Sequence, residues 1–493
     1  MASLLMVCAG AASATDQYLP ANLSAPEIVA RGRTARGTLA PGRYVIVDRI
    51  RGGGIERVRT THIDGPNSIA IVQAPMYTTA SGVYNGQGWN QDENGVVLLR
   101  SDFRRYVDPN TQALLHPENP DYHVSVLGLT RTQPQEYVIE ANPPGGSDQV
   151  RYYDAKTFLV DRFITFDADL HQHVTEFSDY RSVFGSLRPF RIHSYDGRPQ
   201  NDTVTETVSF EQAPANSAPV AMPTSRPLYT IDKPLSIPAT FGRSGIIVRV
   251  TVNGRGLDFL LDSGAGGLAI DPGVAHQLGL TTYGRSNQTI GGEVDVSRTR
   301  IPELDVGPLK LHDVAFSVIP MNYYTDGVRI VGILGCDFIA SSIVGIDFQK
   351  STVTLYPDSF DPHALGMATL PLQMDDGVPR VQASFEGVPG FFLVDTGATG
   401  TVAYDTYVKK LKSAQPLDEG VSLNAIGGTV PAQLKQLTDL KFGGIHFGDA
   451  MVFVPSSSTF NLSDYDGILG RDVLSQYQLY FNYAKRQLYI KPA

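Results

Sequence analysis

Apolar and polar residues alternate in short runs along most of the chain, the period-two signature of half-buried strands. Residues 42–50 (GRYVIVDRI) alternate around their middle, and 68–72, 136–140 and 157–166 repeat the pattern. Turn signals separate these runs: Asp64-Gly65, Asn85-Gly86, Asn94-Gly95, Pro144-Gly145-Gly146 and Asp196-Gly197. The stretch from Arg151 to Phe177 reads as successive hairpins of an antiparallel sheet. Helical candidates are short (109–116, 272–278 and 404–412), and 178–185 fits either state. Residues 211–227 (EQAPANSAPVAMPTSRP) have no apolar periodicity and are rich in Ala, Pro and Ser, so they read as a linker. The pattern therefore predicts an N-terminal antiparallel β domain over 22–210, and a strand near 228–231 opening the next part.

Beyond the linker the pattern occurs twice. Phe259-Leu260-Leu261-Asp262-Ser263-Gly264-Ala265 and Phe392-Leu393-Val394-Asp395-Thr396-Gly397-Ala398 each carry an apolar strand into an Asp-Ser/Thr-Gly-Ala loop. Gly254 and Gly387 each lie eight residues before the aspartate and read as the hairpin turn feeding that strand. Gly332-Ile333-Leu334-Gly335 ends 73 residues after Asp262, and Gly467-Ile468-Leu469-Gly470 ends 75 after Asp395. Between these signals each copy has an Ile-Gly-Gly (Ile290 to Gly292; Ile426 to Gly428) and an apolar strand (314–318; 450–454). Each copy closes with two more strands, 342–348 with 351–356 and 479–483 with 487–490. An internal repeat of this kind predicts a pseudo-twofold molecule with Asp262 facing Asp395.

Two facing carboxylates can share one proton and activate a water. Gly264 and Gly397 permit close backbone approach where a Cβ would crowd the opposite loop. The hydroxyls of Ser263 and Thr396 can bond across the axis, and backbone N–H groups near Gly264 and Gly397 can support the carboxylates. Ile333-Leu334 and Ile468-Leu469 would pack behind the loops, with Gly335 and Gly470 as structural backing. Low polarity there magnifies the repulsion between like charges, so one carboxyl stays protonated and the pair titrates as a unit. Asp337 and Asp472 also repeat and read as caps of the helical turns after them. His171 and His173 share a strand face without a third ligand, and Cys336 reads as a small buried hydrophobe. No metal or cofactor is called for.

At 493 residues the chain needs two or three domains, and 48 Gly with 32 Pro favour turns and short strands over long helices. A net charge of −10 without a Lys/Arg stripe argues against a nucleic-acid partner. Residues 1–14 (MASLLMVCAGAASA) read as a signal peptide lacking its basic start, which predicts a periplasmic or secreted location. Losing them would leave Cys336 without a disulfide partner, and no later apolar stretch is long enough for a membrane span.

The paired loops and the two hydrophobic-hydrophobic-Gly signals resemble the aspartic proteases, the retropepsin-like group more than the pepsin-like one. The resemblance covers about 240–493, in halves of 240–357 and 377–493. It implies a mainly β, bilobal pair of closed β-barrels over a six-stranded interdomain base, preceded here by a curved antiparallel β-sheet domain. It also implies endopeptidase action on an extended polypeptide, with Asp262 and Asp395 catalytic. Because both halves share one chain, the active site is intramolecular and dimerisation is not required. Gly291, Gly292, Gly427 and Gly428 fall where such proteases carry the tips of flap hairpins; a plain turn before a strand is the alternative. The order of elements in 22–210 resembles the incomplete β-barrel of periplasmic lipoprotein carriers. It leaves open a second reading, a non-catalytic peptide- or lipid-binding protein.

Overall fold

The computed structural model describes residues 18–100, 109–143, 148–166, 171–243, 245–289, 293–321, 323–375, 377–426, 428–456 and 465–492. The leader expected at 1–14 and the flap glycines Gly291, Gly292 and Gly427 lie outside these residues. The chain divides into two compact units, one formed by 1–52 with 104–212 and the other by 53–103 with 213–493.

The first unit is a curved antiparallel sheet of eight strands in the order Arg43–Gly52, Thr203–Gln212, Ser186–Tyr195, Gln172–Val183, Val160–Phe166, Gln149–Asp154, Glu136–Ala141 and Val124–Leu129. The ambiguous 178–185 stretch is strand to Val183 and then turns through Phe184 and Gly185, at φ 47° and 85°. Two successive positive φ values suit the twist of a tight hairpin. Against the sheet lies a helix, Ala25–Arg36, which buries Ile28 and Val29 among Leu114, Tyr137, Ile139 and Tyr153. It starts at Ser24, whose N–H and hydroxyl both donate to Glu27 Oε2, at 2.8 and 2.7 Å. The predicted 109–116 helix forms as Pro109–Leu115.

The second unit opens with a five-stranded antiparallel meander: Ile55–Asp64, Asn67–Ala74, Tyr77–Tyr84, Gln87–Gln91 and Val97–Arg100. Residues 228–231, expected as a strand, are irregular, and the ladder begins at Leu235–Ile237. The side chain of Tyr229 anchors that stretch instead. Its hydroxyl lies 2.9 Å from Phe338 O and 3.0 Å from Ser342 Oγ, so the segment is held without strand partners.

Six strands then build the first half: β1 (Ile246–Val252), β2 (Arg255–Leu261), β3 (Ala269–Ile270), β4 (Glu293–Val306), β5 (Leu309–Val318) and β6 (Gly332–Leu334). Their pairing runs β1-β2-β6-β3-β5-β4, and Val250↔Val306 with Thr251↔Asp305 joins β4 back to β1. The ring is therefore closed. Two of its contacts are parallel, β2 with β6 and β3 with β5, so the chain crosses over the ring between them.

The second half repeats the scheme with β7 (Val378–Phe385), β8 (Val388–Val394), β9 (Val402–Ala403), β10 (Gly428–Phe442), β11 (Ile445–Pro455) and β12 (Gly467–Leu469). Here β8 pairs in parallel with β12, and β7 meets β10 through Ala383↔Phe442 and Ser384↔Lys441, a ring-like arrangement. Beneath both halves lies a six-stranded sheet, Leu235–Ile237, Thr352–Tyr356, Ile343–Asp347, Tyr477–Asn482, Gln487–Pro492 and Ala368–Pro371. Its central pair joins the halves directly, Val344↔Phe481 through Asp347↔Gln478. One continuous apolar core runs through both, including Phe259, Phe338, Phe392 and Phe481.

Gly335 and Gly387 show two different reasons for glycine. At Gly335 a Cβ would overlap the carbonyls of Gly267 and Ala265, whereas Gly387 sits in open space at φ 75°. Chemical denaturation should therefore show G335A costing roughly 2–4 kcal/mol through backbone collision and G387A about 1 kcal/mol through φ strain alone. Equal costs would mean that Gly335 is not packed against the loop.

Candidate active site

Asp262 and Asp395 each follow the last residue of an apolar strand held by a parallel partner. The Asp262 N–H donates to Leu334 O at 3.0 Å and the Asp395 N–H to Leu469 O at 3.1 Å. Each aspartate is thus the point where a buried strand is released into a loop.

The two loops grip each other reciprocally. Ser263 N–H donates to Thr396 Oγ1 and Thr396 N–H to Ser263 Oγ, both at 3.0 Å. Each hydroxyl then donates to the strand behind the opposite loop, Ser263 Oγ to Val394 O at 2.7 Å and Thr396 Oγ1 to Leu261 O at 3.0 Å. Both residues are fully buried. All four bonds are sheltered from water, and breaking any of them strands a buried polar group.

This grip brings the carboxyls together. A Cβ on Gly264 would collide with the Asp395 carboxyl, and one on Gly397 with the Asp262 carboxyl. Close approach is therefore what requires glycine at both positions. Gly264 N–H donates to Asp262 Oδ1 and Gly397 N–H to Asp395 Oδ1, each at 2.8 Å, and Ala398 N–H reaches Asp395 Oδ1 at 2.9 Å. Burial pushes the Asp262 carboxyl well up, and the neighbouring Asp395 charge adds to it. Burial raises Asp395 too, but the hydrogen bond from Asp262 works against that rise. The pair therefore keeps a proton that isolated aspartates would lose, with Asp262 the natural holder and Asp395 the acceptor.

Gly335 and Gly470 sit directly behind the loops. Cys336 N–H donates to Ala265 O and Arg471 N–H to Ala398 O, both at 2.9 Å. The capping role expected of Asp337 and Asp472 is not observed. The helices begin after Gly335 and Gly470 without side-chain caps, and both aspartates lie one residue inside them. Asp472 turns back instead to accept from Thr401 Oγ1 and N–H, at 2.8 and 3.0 Å. Cys336 is a buried thiol whose Sγ donates to Gly266 O at 2.7 Å. Burial pushes its thiol well up, the opposite of an activated nucleophile.

Two tyrosines near the pair carry no local sequence signal. Tyr483, at the turn of the final hairpin, is buried with its hydroxyl unpartnered, and its raised pKa reflects burial first and then the Cys336 and dyad charges. Tyr323, on the short hairpin Tyr323–Thr325/Val328–Ile330, bonds the Thr399 side chain and also feels both aspartates. Only their place in the fold brings them there.

Two further hairpins extend from the rings, Thr282–Thr289 with β4 and Gln415–Ala425 with β10. Gly428 opens β10 at φ 148°. The first hairpin is braced by the meander: Arg285 N–H donates to Gly53 O at 2.7 Å, and Tyr77 stacks on Tyr283 at 5.9 Å.

Residues 248–338 and 381–473 both match the family described as aspartyl protease, one match per half. Among solved structures, an aspartic proteinase from Irpex lacteus is 13% identical over 53% of this chain and 97% of its own, with a TM-score of 0.36. A LolA superfamily protein from Nitrosomonas europaea is 14% identical over 39% of this chain and 94% of its own, at 0.29. A DUF1329 family protein from Desulfovibrio piger is 15% identical over 39% and 93%, at 0.30. A comparison with curated proteins returns no match. The chain thus carries the aspartyl protease pattern twice.

The raised pKa values fix a stability slope. The folded pair retains a proton that the unfolded chain releases near pH 4, so the native state loses stability as pH rises above about 4. D262N, with one neutral member at every pH, should have a flatter dependence and a higher melting temperature than wild type near neutrality. Parallel curves from pH 3 to 7 would show that no proton is retained.

Proposed function

We propose that the chain is an aspartic endopeptidase that hydrolyses peptide bonds with a water held between Asp262 and Asp395. The observation that carries this reading is the juxtaposition of two buried carboxyls with raised pKa values at the ends of symmetric, mutually bonded loops. In the reactive state Asp262 is protonated and Asp395 ionised. As the water oxygen attacks the scissile carbonyl carbon, Asp395 removes one water proton and Asp262 gives its proton to the carbonyl oxygen. The product is a neutral gem-diol. Asp395 then passes its proton to the amide nitrogen while Asp262 recovers one from a diol hydroxyl. The C–N bond breaks to give an acid and an amine, and the dyad regains its starting state. Every proton borrowed is returned, so the cycle repeats without a covalent intermediate.

On this reading the two halves, 240–357 and 377–493, form a pair of closed barrels with an extended polypeptide lying between them. The hairpins bearing Gly291, Gly292, Gly427 and Gly428 serve as its flaps. Ser263, Gly264, Thr396 and Gly397 hold the dyad, with Gly335 and Gly470 as backing. The site is complete in one chain, and the enzyme works in the periplasm or as a secreted protein on exposed, unfolded segments. Among the described residues no helix is long and apolar enough to cross a membrane.

Digestion of a peptide library should show cleavage blocked by a statine-type inhibitor. D262N and D395N should each lower the rate by roughly 10²–10⁴-fold, and the double variant little further. The rate should fall on the acid side as the second carboxyl protonates and on the alkaline side as the shared proton is lost. Cleavage that persists in both single variants would overturn the assignment.

A cavity in the first unit supports a second, separate binding role. It measures about 360 Å³, and Phe158, Val160 and Phe163 line it together with Arg33, Arg36 and Arg188. Arg188 Nε is buried without a hydrogen-bond partner, and burial together with the Arg36 charge lowers the pKa of that guanidinium. Such a site fits an apolar ligand with an anionic head. A fluorescent fatty acid should bind in competition with unlabelled acid, and R188A should weaken it about tenfold. Equal binding of the matching fatty alcohol would rule out recognition of the head.

A further inference from the structure

The helices behind the two loops carry equivalent aspartates, yet these are satisfied in different ways. Asp472 takes both its loop bonds from Thr401, six residues after Asp395. The position six residues after Asp262 is Leu268, which is buried and has no hydroxyl. The first half thus lacks a hydroxyl partner for Asp337 at the equivalent place in its loop.

The meander supplies one. Asn94, on the turn before Val97–Arg100, donates from Nδ2 to Asp337 Oδ2 at 3.0 Å and to Ala315 O at 3.2 Å, and its Oδ1 accepts from Ala315 N–H at 2.8 Å. With those last two bonds an amide side chain imitates a strand neighbour on β5. Asp92 Oδ1 accepts from Asn94 N–H at 2.9 Å and Val96 N–H at 2.8 Å, fixing the turn. Its buried Oδ2 has no hydrogen-bond partner, and the charge of the nearby Asp337 carboxyl acts on it. Asp337 in turn accepts from Cys336 Sγ at 3.3 Å, and Cys336 is bonded to Ala265 O and Gly266 O in the first active-site loop.

The surroundings hold the turn in place. Arg298 Nε pairs with Glu93 Oε1 at 2.9 Å, Arg226 N–H donates to Gly95 O at 2.8 Å, and Val97 N–H donates to Ser225 Oγ at 2.9 Å. Cys336 from the helix and Glu93 from the turn act on the acid pair, and Arg298 and Arg300 from β4 act on Glu93, with Asp313 of β5 paired to Arg300.

We propose that residues 92–97 act as a plug that positions the first active-site loop, with Asp92 and Asn94 as positioning residues that replace the hydroxyl found in the second half. The catalytic meaning rests on the protease reading; the loop-positioning claim does not. Segment 53–103 is then a working part of the first half rather than an appendage. Burial and the Asp337 charge push Asp92 up to about 8, so it keeps its proton into the neutral range.

Three readouts on the full-length chain test this. In hydrogen–deuterium exchange, N94A should speed exchange at 262–268 and leave 395–401, the internal control, unchanged. In cleavage assays N94A should lower kcat at least tenfold with KM within twofold. In thermal melts D92N, whose side chain is neutral at every pH, should remove the pH effect. The folded pKa of Asp92 lies above its unfolded value, so wild type should lose melting temperature relative to D92N between pH of about 4 and about 8, with the difference level above that. The exchange and melting arms need no activity, so absent cleavage in wild type would end the protease reading alone. Equal exchange in both loops of N94A, or parallel melting curves for D92N and wild type, would overturn the plug. If N94A does not fold, the D92N melting curves decide.

Discussion

The reciprocal hydrogen bonds between Ser263 and Thr396 are the constraint on which the rest of this architecture depends. Two carboxyls buried side by side repel, and nothing local to either loop would hold them together. The grip does so by using the backbone of each half as the partner for the hydroxyl of the other. Neither half can satisfy its own loop. A net contribution of about 1 kcal/mol per hydrogen bond is modest, but leaving buried N–H and O–H groups unpaired costs more. The six-stranded sheet and the shared core bring the halves into register, and the grip converts that register into a dyad. Glycines opposite the carboxyls then leave room for the facing carboxyl, which a methyl group would strike.

Symmetry ends behind the loops. The second half supports its loop from within, through Thr401 and Asp472, while the first relies on Asn94 and Asp92 from a distant part of the chain. The same meander braces the first hairpin at Gly53 and Tyr77. The loops are thus twofold at their contact, while the framework behind one of them draws on residues outside the repeat. A fragment holding only the two matched segments would lack that support.

Much of the centre is legible in the sequence because its signals are local. A strand, a turn and a small residue occupy adjacent positions, and their recurrence 133 residues later exposes the pairing of Ser263 with Thr396. The short strands of both units were legible for the same reason, as alternation needs only neighbours. The helix Ala25–Arg36 was not, because its apolar face is narrow and its mixed polar surface hides the period; the Ser24 and Glu27 capping box was the usable signal. Residues 228–231 carry strand-like composition, but Tyr229 finds tertiary partners that outweigh it. The Asn94 to Asp337 contact spans 243 residues, and no local pattern encodes such a bond. The capping expectation for Asp337 and Asp472 failed on the same ground, since a motif names a residue without naming what it turns toward.

The most direct test of the account is a double-mutant cycle on the grip, with S263A, T396A and the double variant compared by chemical denaturation and by cleavage rate. S263A removes the two bonds of the Ser263 hydroxyl and T396A the two of the Thr396 hydroxyl, but both pairs hold the same two loops together, so losing one should loosen the other and the double variant should lose less than the sum, with a coupling energy of roughly 1–3 kcal/mol. Additive losses would mean that the two loops act independently, and the dyad would then owe its geometry to something other than the grip.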